Sequence, residues 1–112
     1  MMKVNLSPVA ERDLEQIKEY ISGELDNPAA ANRVLAQITK RIRKLSQFPE
    51  LGSSLETIVP FQTDYRFLVC GNYLAVYLVE QDMVLVDRVL YGKRDLVRAL
   101  FDKLPKETSK GK

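Results

Sequence analysis

Histidine is missing from all 112 residues. Its absence removes the commonest general base and the commonest metal ligand. A Ser-His-Asp or Cys-His arrangement is therefore excluded, as is a zinc site built of cysteine and histidine. Cysteine occurs once, as Cys70, so there is no internal disulfide. Cys70 lies between Val69 and Gly71 near a turn and reads as a small residue at a strand end rather than a nucleophile. No Gly-rich phosphate loop is present. Long apolar runs are missing too. The most apolar stretch, residues 67–79, is interrupted by Cys70-Gly71-Asn72 and is too short to span a membrane. Met1-Met2-Lys3-Val4-Asn5 lacks the apolar run and cleavage site of a secretory signal. These absences point to a cytoplasmic chain that takes no cofactor and no metal.

What is present is a small globular domain with a segregated charge pattern. At 46% hydrophobic residues the chain has enough apolar surface for one core. The formal charge is +2, but the last ten residues, 103–112, carry four lysines and one glutamate. The body up to residue 102 is thus slightly acidic, and the basic end reads as a flexible tail. Within the body, residues 11–26 hold six acids and two bases, whereas residues 27–49 hold five bases and no acid. Lys40, Arg41, Arg43 and Lys44 belong to that second stretch and suit the solvated face of an amphipathic helix.

Periodicity gives the elements. Met2, Val4 and Leu6 alternate with polar neighbours, as in a short strand with one buried face. Ser7-Pro8 is a helix start, and Ala10, Leu14, Ile17 and Ile21 follow at helical spacing toward a stop near Gly23. Asn27-Pro28 repeats that start for a second helix, which ends before Pro49. The short link between the helices implies an antiparallel hairpin, in which the acidic first helix and the basic second attract each other. Residues 49–60 read as a loop. The period then shortens to that of strands at residues 65–70, 73–80 and 83–90, with Gly71-Asn72 and Gln81-Asp82 as hairpin connections. Val84, Leu85 and Val86 are apolar on both faces, which places the third of these strands centrally. Asp95 caps a short last helix carrying Leu96, Val97, Leu100 and Phe101. The fold class is α+β in one domain, residues 1–102: a strand, an antiparallel helical hairpin, a three-stranded antiparallel meander and a short C-terminal helix, with the helices packed on one sheet.

The candidate site lies at the end of the sheet. Arg88, placed on one face with Val86 and Leu90, is followed by the corner Tyr91-Gly92-Lys93-Arg94-Asp95. Arg98 lies one helical turn beyond Arg94. Tyr65 and Arg66 open the first meander strand. Arginine supplies a forked donor for phosphate, and tyrosine supplies a stacking face and a hydroxyl. The competing reading is structural: Tyr91 packs at a rim, and Arg94 pairs with Asp95 or caps a carbonyl. Arg66 and Tyr91 need not meet, because the first and third strands of a meander run the same way. Asp13 and Glu15, two apart on a helix, point in different directions and read as solvated surface.

Four blocks resemble the RelE/ParE toxin superfamily of type II toxin–antitoxin systems, and its ParE branch more closely. They are Leu6-Ser7-Pro8-x-Ala10-x-x-Asp13-Leu14-x-x-Ile17, Leu45-x-x-Phe48-Pro49-x-Leu51-Gly52, Gly71-Asn72-Tyr73-Leu74-x-Val76-Tyr77 and Arg88-Val89-Leu90-Tyr91-Gly92-Lys93-Arg94-Asp95. The resemblance implies a growth-inhibiting toxin of a plasmid-stabilisation module, neutralised by a co-encoded antitoxin that docks beside the hairpin and sheet. DNA is then met only through the antitoxin.

Mechanism divides within the superfamily. The ParE branch implies binding to DNA gyrase without catalysis, with Arg88, Tyr91, Arg94 and Arg98 as target-binding residues. The RelE branch implies cleavage of mRNA on the ribosome, for which Arg94, Lys93, Tyr91 and Arg66 are the catalytic candidates. The middle-strand arginine of RelE falls on Leu74 here, and its terminal tyrosine falls near Leu100. That departure favours the ParE-like reading. A toxin kept only as an antitoxin partner is the third alternative.

Overall fold

Two proline-led helices follow the first strand. The computed structural model describes residues 1–103; the tail expected at 103–112 lies outside the described residues from position 104 onward. Strand β1, Lys3–Leu6, ends at Ser7, whose hydroxyl accepts from the Ala10 amide at 3.0 Å and caps α1, Pro8–Glu19. Where a stop was expected near Gly23, a π-helical turn spans Tyr20–Glu24 instead. Asn27 then caps α2, Pro28–Arg43, by accepting from Ala30 at 3.0 Å. A 3-10 turn, Lys44–Ser46, closes the hairpin before Pro49.

The meander is the centre of a larger mixed sheet of order β1-β5-β4-β3-β2. Strands β3, Arg66–Cys70, β4, Tyr73–Val79, and β5, Met83–Tyr91, form the expected antiparallel run. β1 lies parallel to β5, with Lys3 opposite Met83 and Leu6 opposite Val86. The stretch read as a plain loop contains a two-residue strand, β2, Ser53–Ser54, paired with Phe67 and Arg66. It is followed by a 3-10 turn, Leu55–Thr57, that drives Leu55 fully into the interior. Burying a leucine this way contributes about 2 kcal/mol, enough to fix the segment against the sheet.

One irregularity changes the site. The pairing jumps from Val76 opposite Arg88 to Tyr77 opposite Val86, leaving Asp87 as an extra residue in a β-bulge. The jump reverses the side-chain phase along β5. Val86 therefore packs in one core and Leu90 in the other. Arg88 does not share a face with both, contrary to the simple alternation read from the sequence.

Both faces of the sheet are covered. The helical hairpin packs Ala10, Leu14, Ile38 and Ile42 against Ala75, Tyr77, Val84, Val86 and Val89. On the opposite face Leu55, Val59 and Leu96 meet Leu74, Val76 and Leu90. This double cover explains the unbroken apolar run of β5. The hairpin is held by these apolar contacts; no ion pair joins α1 to α2 among the described residues. The last helix, α3, spans Gly92–Lys103. It begins three residues before Asp95, which lies in its first turn rather than at its cap. Gly92, at φ 73, turns the chain from strand to helix in one residue, in the left-handed region that favours glycine. Among the described residues no helix is long and apolar enough to cross a membrane.

Candidate functional site at the end of β5

β1 stops pairing at Val86, yet β5 continues to Tyr91. A buried backbone amide on that uncovered edge must find another acceptor. Asp13 supplies it. Its Oδ2 accepts from the Val89 amide at 2.9 Å and from Arg88 Nε at 2.9 Å, while its Oδ1 accepts from Arg88 Nη2 at 3.1 Å. Asp13 is only 8% exposed, so the solvated role expected for it is wrong. Glu15, by contrast, is exposed. The missed signal was position. Asp13 follows Ala10 by three and precedes Ile17 by four, on the buried stripe of α1, where a carboxylate requires a partner. Ser7 and Tyr65 act nearby: Ser7 Oγ donates to the Asp87 carbonyl at 2.8 Å, and Tyr65 donates its hydroxyl to Asp87 Oδ2 at 2.9 Å.

At the tip of the strand Tyr91 is 59% exposed and meets Tyr73 edge to face, with ring centroids 5.3 Å apart and planes at 69°. A cleft of about 890 Å³ opens beside this pair. Ile17 lines it from α1, Tyr20 from the π-helical turn and Leu25 from just after that turn, and Tyr91, Asp95 and Arg98 from the corner and α3. Asp13 and Arg88 also line it.

Of the residues singled out by sequence, Arg88, Tyr91 and Arg98 are thus brought together. Lys93 and Arg94 are exposed on the first turn of α3 and do not line the cleft, though Arg94 lies one turn from Arg98. Arg66 stands apart. It pairs opposite Tyr77, whereas Tyr91 pairs opposite Tyr73, a separation of about 13 Å along the strands at 3.3 Å per residue. Its guanidinium is engaged, donating to the Gly52 carbonyl at 2.6 Å and the Glu50 carbonyl at 3.3 Å. Tyr77 ties the same loop, accepting from the Gly52 amide at 3.0 Å and donating to the Pro49 carbonyl at 2.8 Å. A Cβ on Gly52 would lie 2.3 Å from the Phe67 carbonyl oxygen, so the close approach requires glycine. This accounts physically for the Phe48-Pro49-x-Leu51-Gly52 block. In the basic stretch at the end of α2 and the start of the 3-10 turn, Arg41 donates to the Val69 carbonyl at 3.2 Å, while Lys40, Arg43 and Lys44 face solvent.

Burial sets the acidity of three groups. It pushes the Tyr65 hydroxyl up to about 12, with the hydrogen bond to Asp87 acting in the same direction. Burial pushes the Cys70 thiol up to about 11, against a smaller opposing pull from Arg41. Tyr73 is raised as well, by burial first and then by the neighbouring Tyr91 and Tyr20. All three move away from neutrality, so none of them serves as a base at neutral pH. The described residues contain no cluster of three or more acids or cysteines fit to hold a metal. The cleft instead offers guanidinium groups, stacking faces and apolar wall, a composition suited to binding a macromolecular surface.

Residues 4–96 match the family model described as the ParE toxin of the type II toxin–antitoxin system, parDE. No curated protein matches the sequence. Among solved structures the chain is similar to the chromosomal ParDE toxin–antitoxin system of Pseudomonas aeruginosa, with TM-score 0.70 and 21% identity over 83% of this chain and 98% of that one. It is also similar to the toxin–antitoxin complex RelBE2 of Mycobacterium tuberculosis, with TM-score 0.60 and 20% identity over 80% and 96% of the two chains. A conserved hypothetical protein of Helicobacter pylori shares the fold at TM-score 0.53 and 23% identity, over 86% and 99% of the two chains.

Proposed function

The chain belongs to the ParE toxin family, and on that premise we propose that it arrests growth in the cytoplasm by binding DNA gyrase and is neutralised by a cognate antitoxin. Arg88, Tyr91, Arg94 and Arg98 form the target-binding surface. The carrying observation is the convergence of Arg88, Tyr91 and Arg98 on one cleft while Arg66 is tied to the loop at the other end of the sheet. A ribonuclease site built from Arg94, Lys93, Tyr91 and Arg66 would need Arg66 beside the corner. A protein-binding surface needs only exposed aromatic and guanidinium anchors, which the corner has. The antitoxin's apolar segment takes the wall of the cleft formed by Ile17, Tyr20 and Leu25.

Induced expression with and without a cognate antitoxin tests this. Linearised plasmid and DNA-damage induction, both reversed by the antitoxin, are the expected result. Cleaved ribosome-bound mRNA with intact DNA would overturn it in favour of the ribonuclease. No growth effect would leave the chain as an antitoxin partner alone.

A further inference from the structure

The last five residues of β5 run beyond the cover of β1. A strand end in that position opens readily unless its backbone is held. β4 pairs this one along one edge as far as Tyr73 opposite Tyr91, and three side chains hold the edge that β1 leaves open. Ser7 and Tyr65 grip Asp87 and fix the bulge. Asp13 acts past the bulge, gripping both the Arg88 side chain and the Val89 amide. Asp13 is itself fixed, because Ala10 and Leu14 seat α1 in the core on either side of it. Only Leu90 separates Val89 from Tyr91. In a strand the direction of a side chain follows the phase of the backbone just before it. The position of α1 is thereby passed to the corner.

We propose that Asp13 is a positioning residue for the Tyr91 corner. Through the Val89 amide and the Arg88 guanidinium it sets the direction in which Tyr91 and the start of α3 face a bound partner. Its effect on partner affinity rests on the gyrase-binding reading above; its effect on the Tyr91 ring does not. Asp13 lines the cleft but is only 8% exposed, so it does this chiefly through Arg88 and Val89.

The test uses the purified full-length chain carrying Asp13→Leu, with Asp13→Asn as the milder variant should Leu prevent folding. Asn keeps one acceptor for the Val89 amide and loses the charge that holds Arg88. Two readouts are taken on folded protein: the Tyr73–Tyr91 ring contact by NMR, and affinity for purified gyrase. We expect the ring contact to be lost or averaged, and affinity to fall on the order of tenfold, as for a lost hydrogen bond to a charged group. An intact ring contact overturns the proposal, whether or not affinity falls. A lost ring contact with unchanged affinity supports the positioning and removes the corner from the gyrase-binding surface. If the unmodified chain does not bind gyrase, the functional reading fails, and the ring contact alone decides the positioning role.

Discussion

Asp13 and Arg88, 75 residues apart in sequence, meet in a two-point ion pair at the end of β5. The carboxylate is almost fully buried and the arginine side chain is 34% exposed. The pair joins the first helix to the last strand at the edge of the candidate site.

Removing the cation leaves the buried carboxylate with only a backbone donor. Arg88→Ala is expected to destabilise the fold by about 2 kcal/mol, below the 3–5 kcal/mol of a fully buried pair because solvent reaches Arg88. Urea unfolding with an unchanged m-value would register the loss. Wild-type stability in this variant would show that the pair adds nothing to the fold.

Gly52 sits against the Phe67 carbonyl and the Tyr77 hydroxyl. Gly52→Ala is expected to cost about 3 kcal/mol, the upper end for forced overpacking. Tyr77→Phe strands the Gly52 amide and the Pro49 carbonyl, for a loss of about 2 kcal/mol. The two changes act on one contact, so the double variant should lose less than their sum, and additive losses would contradict the geometry.

Tyr65 and Cys70 make stability depend on alkaline pH. Both pKa values are raised by burial in the folded state, to about 12 and about 11 from their ordinary values of 10.0 and 9.0. The unfolded chain therefore releases these protons first. Stability is full below pH 9 and falls as pH rises through the folded values. Tyr65→Phe should flatten the part of this decline between about pH 10 and 12. An unaltered slope in thermal melts across that range would exclude the assignment. The buried Cys70 thiol should also resist alkylation at pH 8 until the protein unfolds.

Binding and stability should separate along the sheet. Tyr91→Ala and Arg98→Ala are expected to weaken target binding by roughly tenfold or more while leaving the melting temperature close to wild type, since both residues are exposed. Arg66→Ala should do the reverse, lowering the melting temperature through the lost loop contacts. Titration against gyrase, paired with melts of the same samples, distinguishes the two groups.

Local signals were legible in the sequence where neighbours decide the outcome. Ser7-Pro8 and Asn27-Pro28 start helices because the cap and the proline act within one turn. Val84 to Val86 announced a doubly covered strand because both flanking layers are apolar. Contacts between distant segments were not legible. The partner of Asp13 lies on the last strand, and considering only its helical neighbour Glu15 hid the demand that burial makes. The bulge at Asp87 leaves no mark on the alternation of Met83, Leu85 and Asp87, so the phase of Arg88 could not be read. Ser53-Ser54 is too short for a period, and only its pairing with Phe67 and Arg66 makes it a strand.

The parallel pairing of β1 with β5 also has a consequence in time. Residues 3–6 have no strand to join until residues 83–86 are translated. At translation rates of roughly 5–20 residues per second, that wait is about 4–16 seconds. During it the apolar stripe of α1 is synthesised before the sheet that will cover it. Asp13 likewise awaits Arg88 and Val89. The tip of β5, and with it the Asp13–Arg88 pair, is consequently completed only after every other strand of the sheet has been synthesised, so the Tyr91 corner is the last part of the sheet to take shape.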